Sequence, residues 1–155
     1  MVNGDDVTMY ALAAEHTLKD IVRWNGDRGA SYFFQAELPY DVEAYPYSGY
    51  NVTGAVTEHV SYGAGVYHFF RDYPVVVESA ITCPPALESS FHDPLAVFLN
   101  GNGSILHILN DKVCQPLAEL YGGCVMVLKV SWCGVIATTR ARRPRSPRGP
   151  ASHRR

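Results

Sequence analysis

The sequence predicts an all-β fold, and three observations carry that prediction. Apolar runs of five to seven residues, rich in Val, Ile, Phe and Tyr, alternate with turn signals such as Pro39, Pro84-Pro85 and Asn100-Gly101. Helical periodicity is weak nearly everywhere. The 155 residues include 10 Tyr and 13 Gly but only three Lys, which is typical of a β-rich surface rather than a helical bundle.

Five segments are predicted to be strands because β-branched or aromatic residues dominate them and turn residues bound them. They are residues 31–37, 65–70, 75–81, 95–99 and 104–109. The first stops before Pro39, and the fourth runs into the turn Asn100-Gly101-Asn102-Gly103. The one helix candidate, residues 12–21, has no convincing cap at its end.

The spacing of these strands leaves three architectures open. Irregular loops separate them, which suits a sandwich, a barrel or a β-solenoid with coils of roughly 20 to 30 residues. The strands carry continuous apolar runs rather than strict alternation, as expected when both faces are covered or strands stack in parallel. We find no clean internal repeat, so periodicity alone does not choose among the three.

Charge divides the chain into an acidic body and a basic end. Residues 140–155 hold seven Arg and no acid, while residues 1–139 carry six basic against 15 acidic groups. The Arg/Pro-rich composition predicts disorder from about residue 139. Such a tail is typical of a nucleic-acid or localisation segment, or of a translated non-native reading frame, and the second interpretation is favoured. No nucleic-acid partner is expected for the body.

Other function classes are excluded on composition. No apolar run approaches the roughly 18 residues of a membrane span, so no membrane partner is expected. The acidic start, residues 1–6, predicts no secretory signal as written. The four Cys and the scattered His lack metal-ligand spacing, so no metal is expected. Gly63-Ala64-Gly65 is too short for a dinucleotide fingerprint, so no other cofactor is expected.

Three ordered blocks carry a resemblance. The first runs from residue 15 through Trp24-Asn25-Gly26-Asp27 to Gln35-Ala36-Glu37-Leu38-Pro39-Tyr40, the second spans residues 62–72, and the third spans residues 99–111. Together they resemble the C-terminal part of glycoside hydrolase family 55 proteins, which are exo-acting 1,3-β-glucanases of the pectate-lyase superfamily. The resemblance covers roughly residues 7–112.

The resemblance implies a right-handed, single-stranded parallel β-helix of the pectin-lyase type, formed by the last few coils of a longer two-helix protein. It gives three segments: a partial β-helix domain over residues 1–112, an aberrant or non-family segment over 113–138, and the disordered basic tail over 139–155. It further implies an extracellular family, monomeric at full length, that needs no metal and acts on β-1,3-glucan.

The resemblance also assigns a general acid. In this family the acid is a Glu within Gln-x-Glu-x-Pro-Tyr, which here is Glu37. Aromatic neighbours in sequence support the role, because an apolar wall favours the protonated carboxyl that a glycosidic acid needs. Candidate substrate-binding residues are Gln35, Tyr40, Tyr47 and Tyr67. The base is left open among Asp27, Asp41, Glu43, Glu58 and Asp72.

The functional prediction is therefore a fragment of an inverting exo-1,3-β-glucosidase, weak or inactive alone. The alternative is a non-catalytic β-helical module that binds carbohydrate or has no function by itself. A third hypothesis, a pectate-lyase-like enzyme for uronides, is disfavoured because the body has few basic residues to bind acidic sugars.

Overall fold

The structure of the chain is a computed structural model, and it describes residues 1–111 together with the backbone of residues 128 and 129. In this part the chain forms ten β-strands and one short 3₁₀ helix, Pro85–Ser90. The strands are β1 (Thr8–Glu15), β2 (Val22–Trp24), β3 (Gly29–Glu37), β4 (Tyr50–Val52), β5 (His59–Phe70), β6 (Val76–Thr82), β7 (Phe91–His92), β8 (Leu95–Gly101), β9 (Ser104–Leu109) and β10 (Leu128–Lys129).

Two parallel sheets alternate along the chain. The long sheet has the order β1-β3-β5-β8-β10, with β7 also paired to β5, and the short sheet has the order β2-β4-β6-β9. Each pass along the chain therefore adds one strand to each sheet, which is the coil of a parallel β-helix. The predicted pectin-lyase-like fold class is confirmed. Among the described residues, no helix has the length and apolar character needed to cross a membrane.

The register shows the length of each coil. The first coil, from Thr8 to its partner Ala30, is shorter than the next two, which run from Ser31 to Ser61 and from Gly65 to Leu95. All three fall within the coil length of roughly 20 to 30 residues expected from the sequence. The aligned interior side chains form the core, in which Trp24, Phe34, Tyr50 and Phe70 are at most 1% exposed.

The first strand corrects one prediction. Residues 12–21 were the one helix candidate, but residues 8–15 form β1, which pairs in parallel with β3 over seven positions. Leu12 and Ala14 are good helix formers, yet pairing with β3 and packing of Leu12 against the core outweigh this weak local preference. The five predicted strands correspond to β3, β5, β6, β8 and β9, with β5 beginning at His59 rather than at Gly65.

A left-handed backbone position recurs in the long sheet. Ala11, Phe33, Gly63 and Asp93 all have φ between 51° and 66°. Each directly follows a member of a stack of exposed rings that crosses four coils, because Tyr10, Tyr32, Tyr62 and His92 lie face to face at centroid distances of 4.4–5.4 Å. The left-handed position therefore lies at the same register in each of these four coils.

We expect Gly63→Ala to lower the free energy of unfolding by about 1 kcal/mol, because φ +66° is costly for any residue with a Cβ. A Cβ at Gly63 would meet no atom within 4 Å, so backbone strain alone is probed. Gly54 is the matched control, since its surroundings are equally open and its φ lies outside the left-handed region. Urea unfolding of both variants measures the effect, and equal stabilities would contradict it.

Candidate active site

Glu37 lies at the carboxyl end of β3, on the outer face of the long sheet. β3 ends at Glu37, although the Leu38 N–H still donates to the Tyr67 carbonyl at 2.9 Å before Pro39 stops the ladder. Leu38 is fully buried and anchors the turn that follows. The Glu37 side chain is 23% exposed, so it is accessible while most of its surface is covered.

Tyr40 turns back onto Glu37 after this turn. Its hydroxyl donates a hydrogen bond to Glu37 Oε2. The ring is held between His16, at a centroid distance of 4.3 Å, and Phe69, at 5.1 Å. Burial, the hydrogen bond to Glu37 and the negative charge of that carboxylate raise the pKa of Tyr40 to about 12. Tyr40 therefore remains a hydrogen-bond donor throughout the neutral and acidic pH range.

Glu15 and His16 are contributed by the neighbouring coil. Glu15 is the register partner of Glu37, and the His16 N–H donates to the Glu37 carbonyl at 2.9 Å. His16 has φ 54°, so the chain turns at the end of β1 and brings His16 Nε2 to 3.9 Å from Glu37 Oε2. One nitrogen of His16 and one oxygen of each carboxylate all lie within 4.8 Å of one another. We call Glu15, His16, Glu37 and Tyr40 the acid cluster.

The acid cluster offers three atoms of the types that bind cations, but exposed acidic groups commonly gather without a metal. No other feature of the described residues points to a cation at this place. The same atoms suit acid–base chemistry, because a carboxylic acid held by a phenolic donor beside a second carboxylate has the components of proton transfer to a sugar oxygen.

Gln35 and Tyr67 share the outer face with Glu37. Gln35 lies two residues before Glu37, and its register partners are Ala13 and Gly65. It is therefore not part of a polar ladder across coils, and its side chain has small neighbours on both sides. Tyr67 is the partner of Glu37 on β5. A Cβ at Gly65 would lie 3.1 Å from the Tyr67 ring, so that ring covers Gly65.

Tyr47 lies elsewhere, although it is close to Glu37 in sequence. The loop after β3 carries it to the short sheet, where it lines a groove together with Asp20, Asn51 and Glu78. None of the acid cluster lines this groove. Of the residues predicted for the site, the structure thus gathers Glu37, Tyr40, Gln35 and Tyr67 on one face and separates Tyr47 from them.

The five candidate bases have other positions. Asp27 accepts hydrogen bonds from the backbone N–H groups of Glu58 and Thr57, each at 2.8 Å, and these lower its pKa to about 2. Asp41 and Asp72 both pair with Arg71, the latter at 3.5 Å. Glu43 and Glu58 are exposed. Sequence reasoning missed Glu15, the carboxylate beside Glu37, and also His16.

Comparison with known proteins gives three findings. Residues 1–37 match the model of a family described as the LAM55 pectate lyase-like domain. An exo-β-1,3-glucanase of Streptomyces sp. (strain SirexAA-E / ActE) is 33% identical over 120 residues, which are 71% of this chain and 20% of that protein. The solved structure of sacteLam55A from Streptomyces sp. SirexAA-E is similar with a TM-score of 0.65 at 33% identity, over 71% of this chain and 22% of that one.

A glutamate-to-alanine variant of sacteLam55A in complex with glucose gives the same TM-score of 0.65 at 32% identity. The chain spans about one fifth of the length of the relatives it matches.

Proposed function

Because these comparisons confirm the resemblance to glycoside hydrolase family 55, we propose that residues 1–111 form the general-acid side of an active site that hydrolyses β-1,3-glucan. The observation that carries the proposal is the hydrogen bond from Tyr40 to Glu37 within the acid cluster. It supports a defined role for each oxygen of the carboxyl group. Oε2 accepts from Tyr40, and Oε1 carries the proton that is transferred.

In the proposed reaction, Glu37 Oε1–H gives its proton to the glycosidic oxygen as the bond from that oxygen to the anomeric carbon breaks. Water attacks the opposite face of the sugar ring, and the released glucose has the inverted configuration. Gln35 and Tyr67 lie where they could contact the sugar next to Glu37, the first through its amide and the second through its ring. Tyr40 keeps its proton and fixes the Glu37 carboxyl group.

We propose Glu15 as the group that holds the attacking water. Inverting enzymes separate their two carboxyl groups by about 6.5–9.5 Å, so a bound sugar has to hold Glu15 further from Glu37 than in this structure, where their oxygens lie within 4.8 Å. Glu15 is exposed at the edge of the long sheet, which leaves its side chain room to move. The anomeric configuration of the first glucose released, read by proton NMR, checks the inversion that this assignment requires, and unchanged turnover by a Glu15→Gln chimera would contradict the role of Glu15.

We expect the 155-residue chain to hydrolyse laminarin weakly or not at all by itself. β1 is the edge strand of the long sheet in the described residues, so on that side only one strand lies beside Glu37 to contact a sugar. The informative protein is a chimera in which residues 1–111 replace the matched segment of the Streptomyces exo-β-1,3-glucanase. Glucose release from laminarin by the chimera, with no reducing sugar released from polygalacturonate, is the expected result.

A properly folded chimera that releases no glucose would favour the alternative function, a module without catalysis that binds carbohydrate or is inert. One observation favours a binding role in its own right, namely the groove that contains Tyr47.

A further inference from the structure

A groove of about 580 Å³ lies on the outer face of the short sheet. Its floor is a row of three register partners from successive coils, Arg23 on β2, Asn51 on β4 and Thr82 on β6. The loop that contains Tyr47 forms one wall, and Val76 with Glu78 contributes to the rest of the lining. Its volume falls within the range of about 300–1,000 Å³ that is typical of small-molecule sites.

The floor of the groove is a fixed polar network. The Asp20 carboxylate accepts hydrogen bonds from Asn51 Nδ2 at 2.7 Å and from the Ser48 N–H at 3.2 Å. The Ser48 hydroxyl in turn lies 3.0 Å from Thr82 Oγ1. These bonds join three coils, so Asp20 and Asn51 are held in place before any ligand arrives. Asn51 Oδ1 and the Arg23 guanidinium have no hydrogen-bond partner within residues 1–111, which leaves an acceptor and donors available.

The wall of the groove presents an aromatic ring. Tyr47 is 38% exposed and packs edge to face against Tyr45 at a centroid distance of 5.7 Å. Tyr45 is itself 3% exposed, and its hydroxyl donates to the Lys19 carbonyl, so Tyr47 rests on a rigid base. An exposed ring beside fixed amide, carboxylate and guanidinium groups can receive the C–H face of a sugar while its hydroxyls reach the polar floor.

Charge in the groove favours a neutral ligand. The positive Arg23 lies in the same lining as the negative Asp20. Glu78 is the second carboxylate of the lining, and it is paired with His107, with Nε2 and Oε1 3.3 Å apart. Neither an acidic nor a basic ligand would therefore gain from one dominant charge.

We propose that this groove is a second saccharide site, apart from the acid cluster, that takes a neutral β-1,3-linked gluco-oligosaccharide. The choice of linkage rests on the proposed function, whereas the groove and its polar floor do not. Bound there, a glucan chain would keep contact with the protein after the sugar at Glu37 has been released. The site would thus increase the local concentration of substrate rather than take part in bond cleavage.

The test is calorimetric titration of the 155-residue chain with laminaritriose, with trigalacturonate as the charged comparison. Wild type and Tyr67→Ala, which lacks the ring proposed to contact the sugar beside Glu37, should bind laminaritriose alike, and both should bind trigalacturonate at least tenfold more weakly. Tyr47→Ala should weaken laminaritriose binding at least tenfold. Val76→Trp, which fills the groove from a side chain that is 55% exposed, should do the same without disturbing the core. Circular dichroism checks the fold of each variant.

Three results would overturn the proposal: no laminaritriose binding by the folded wild-type chain, equal binding by wild type and both groove variants, or binding that Tyr67→Ala abolishes and Tyr47→Ala preserves. The last result would place the sugar at the acid cluster. Failure of the proposed function has a different signature, since it would leave the groove binding intact while the chimera released no glucose.

Discussion

Glu37→Gln is expected to reduce laminarin hydrolysis by the chimera about 10²–10⁴-fold, because general acid catalysis contributes a factor of that size. Gln has nearly the same shape as Glu and can still accept the hydrogen bond from Tyr40, so the fold and substrate binding should change little. Initial rates of glucose release over a range of laminarin concentrations measure the effect, which should fall on kcat rather than on KM.

Asp111→Asn is the matched control for this variant. Asp111 is exposed, and the substitution removes the same negative charge with the same change from carboxylate to amide. Asp111→Asn should leave the turnover of the chimera unchanged. Near-normal turnover by Glu37→Gln, or an equal loss in both variants, would contradict the assignment of Glu37.

The second large effect concerns stability in acid. Burial lowers the pKa of His59 and of His68 from 6.5 to about 4. The rings are 5% and 3% exposed, and Nδ1 of each has no hydrogen-bond partner in the described part of the chain. Between pH 4 and pH 6.5 the unfolded chain binds more protons than the folded chain. The free energy of unfolding is therefore highest above pH 6.5 and falls as the pH drops toward 4. Each histidine accounts for about 3 kcal/mol.

Urea unfolding at pH 7 and at pH 4 measures the loss. His68→Phe should roughly halve the difference between the two pH values, because Phe cannot titrate and fits beside Phe70 and Phe98, whose ring centroids lie 5.4 and 5.3 Å from that of His68. His92→Gln removes a histidine at an exposed position and should keep the wild-type difference. An unchanged pH dependence in His68→Phe would show that buried histidine is not its source.

The strands that could be predicted from the sequence are those with strong local signals. Pro39 follows β3, and the turn Asn102-Gly103 precedes β9. The β-branched and aromatic residues beside these turns were enough to identify both strands. β2 and β4 were missed because each has only three residues, too few for any periodicity to be visible. β1 was not predicted, and its second half fell in the helix candidate, because its strand conformation depends on pairing with β3, a contact between residues a full coil apart.

One sequence signal for the coil was present but overlooked. Asn3-Gly4-Asp5 recurs one coil later as Asn25-Gly26-Asp27. The copies occupy adjacent turns, where Asn25 Nδ2 donates to Asn3 Oδ1 at 2.7 Å and the Asp27 N–H donates to Asp5 Oδ1 at 2.8 Å. A Cβ at Gly26 would lie 1.9 Å from the Gly4 carbonyl oxygen, so glycine is required there. This short repeat indicates the coil of a solenoid.

The number of residues that separates the two Asn-Gly-Asp copies also separates Glu15 from its register partner Glu37. Applied to the sequence, it would have placed a second carboxylate beside the predicted acid, which the five candidate bases did not include. Tyr47 shows the opposite limitation. Its closeness to Glu37 in sequence suggested one shared site, but the loop after β3 crosses from the long sheet to the short sheet. Nearness along the chain does not show which face of a coil a loop reaches.

The central claim is that Glu37 donates the proton to the leaving group, and the dependence of rate on leaving group tests it most directly. The chimera and its Glu37→Gln variant are compared on laminaribiose and on 2,4-dinitrophenyl β-glucoside, whose phenolate leaves without being protonated. The account predicts a loss of at least about 100-fold on laminaribiose and of less than about tenfold on the aryl glucoside. An equal loss on both substrates would contradict it, since Glu37 would then act at a step other than protonation of the leaving group.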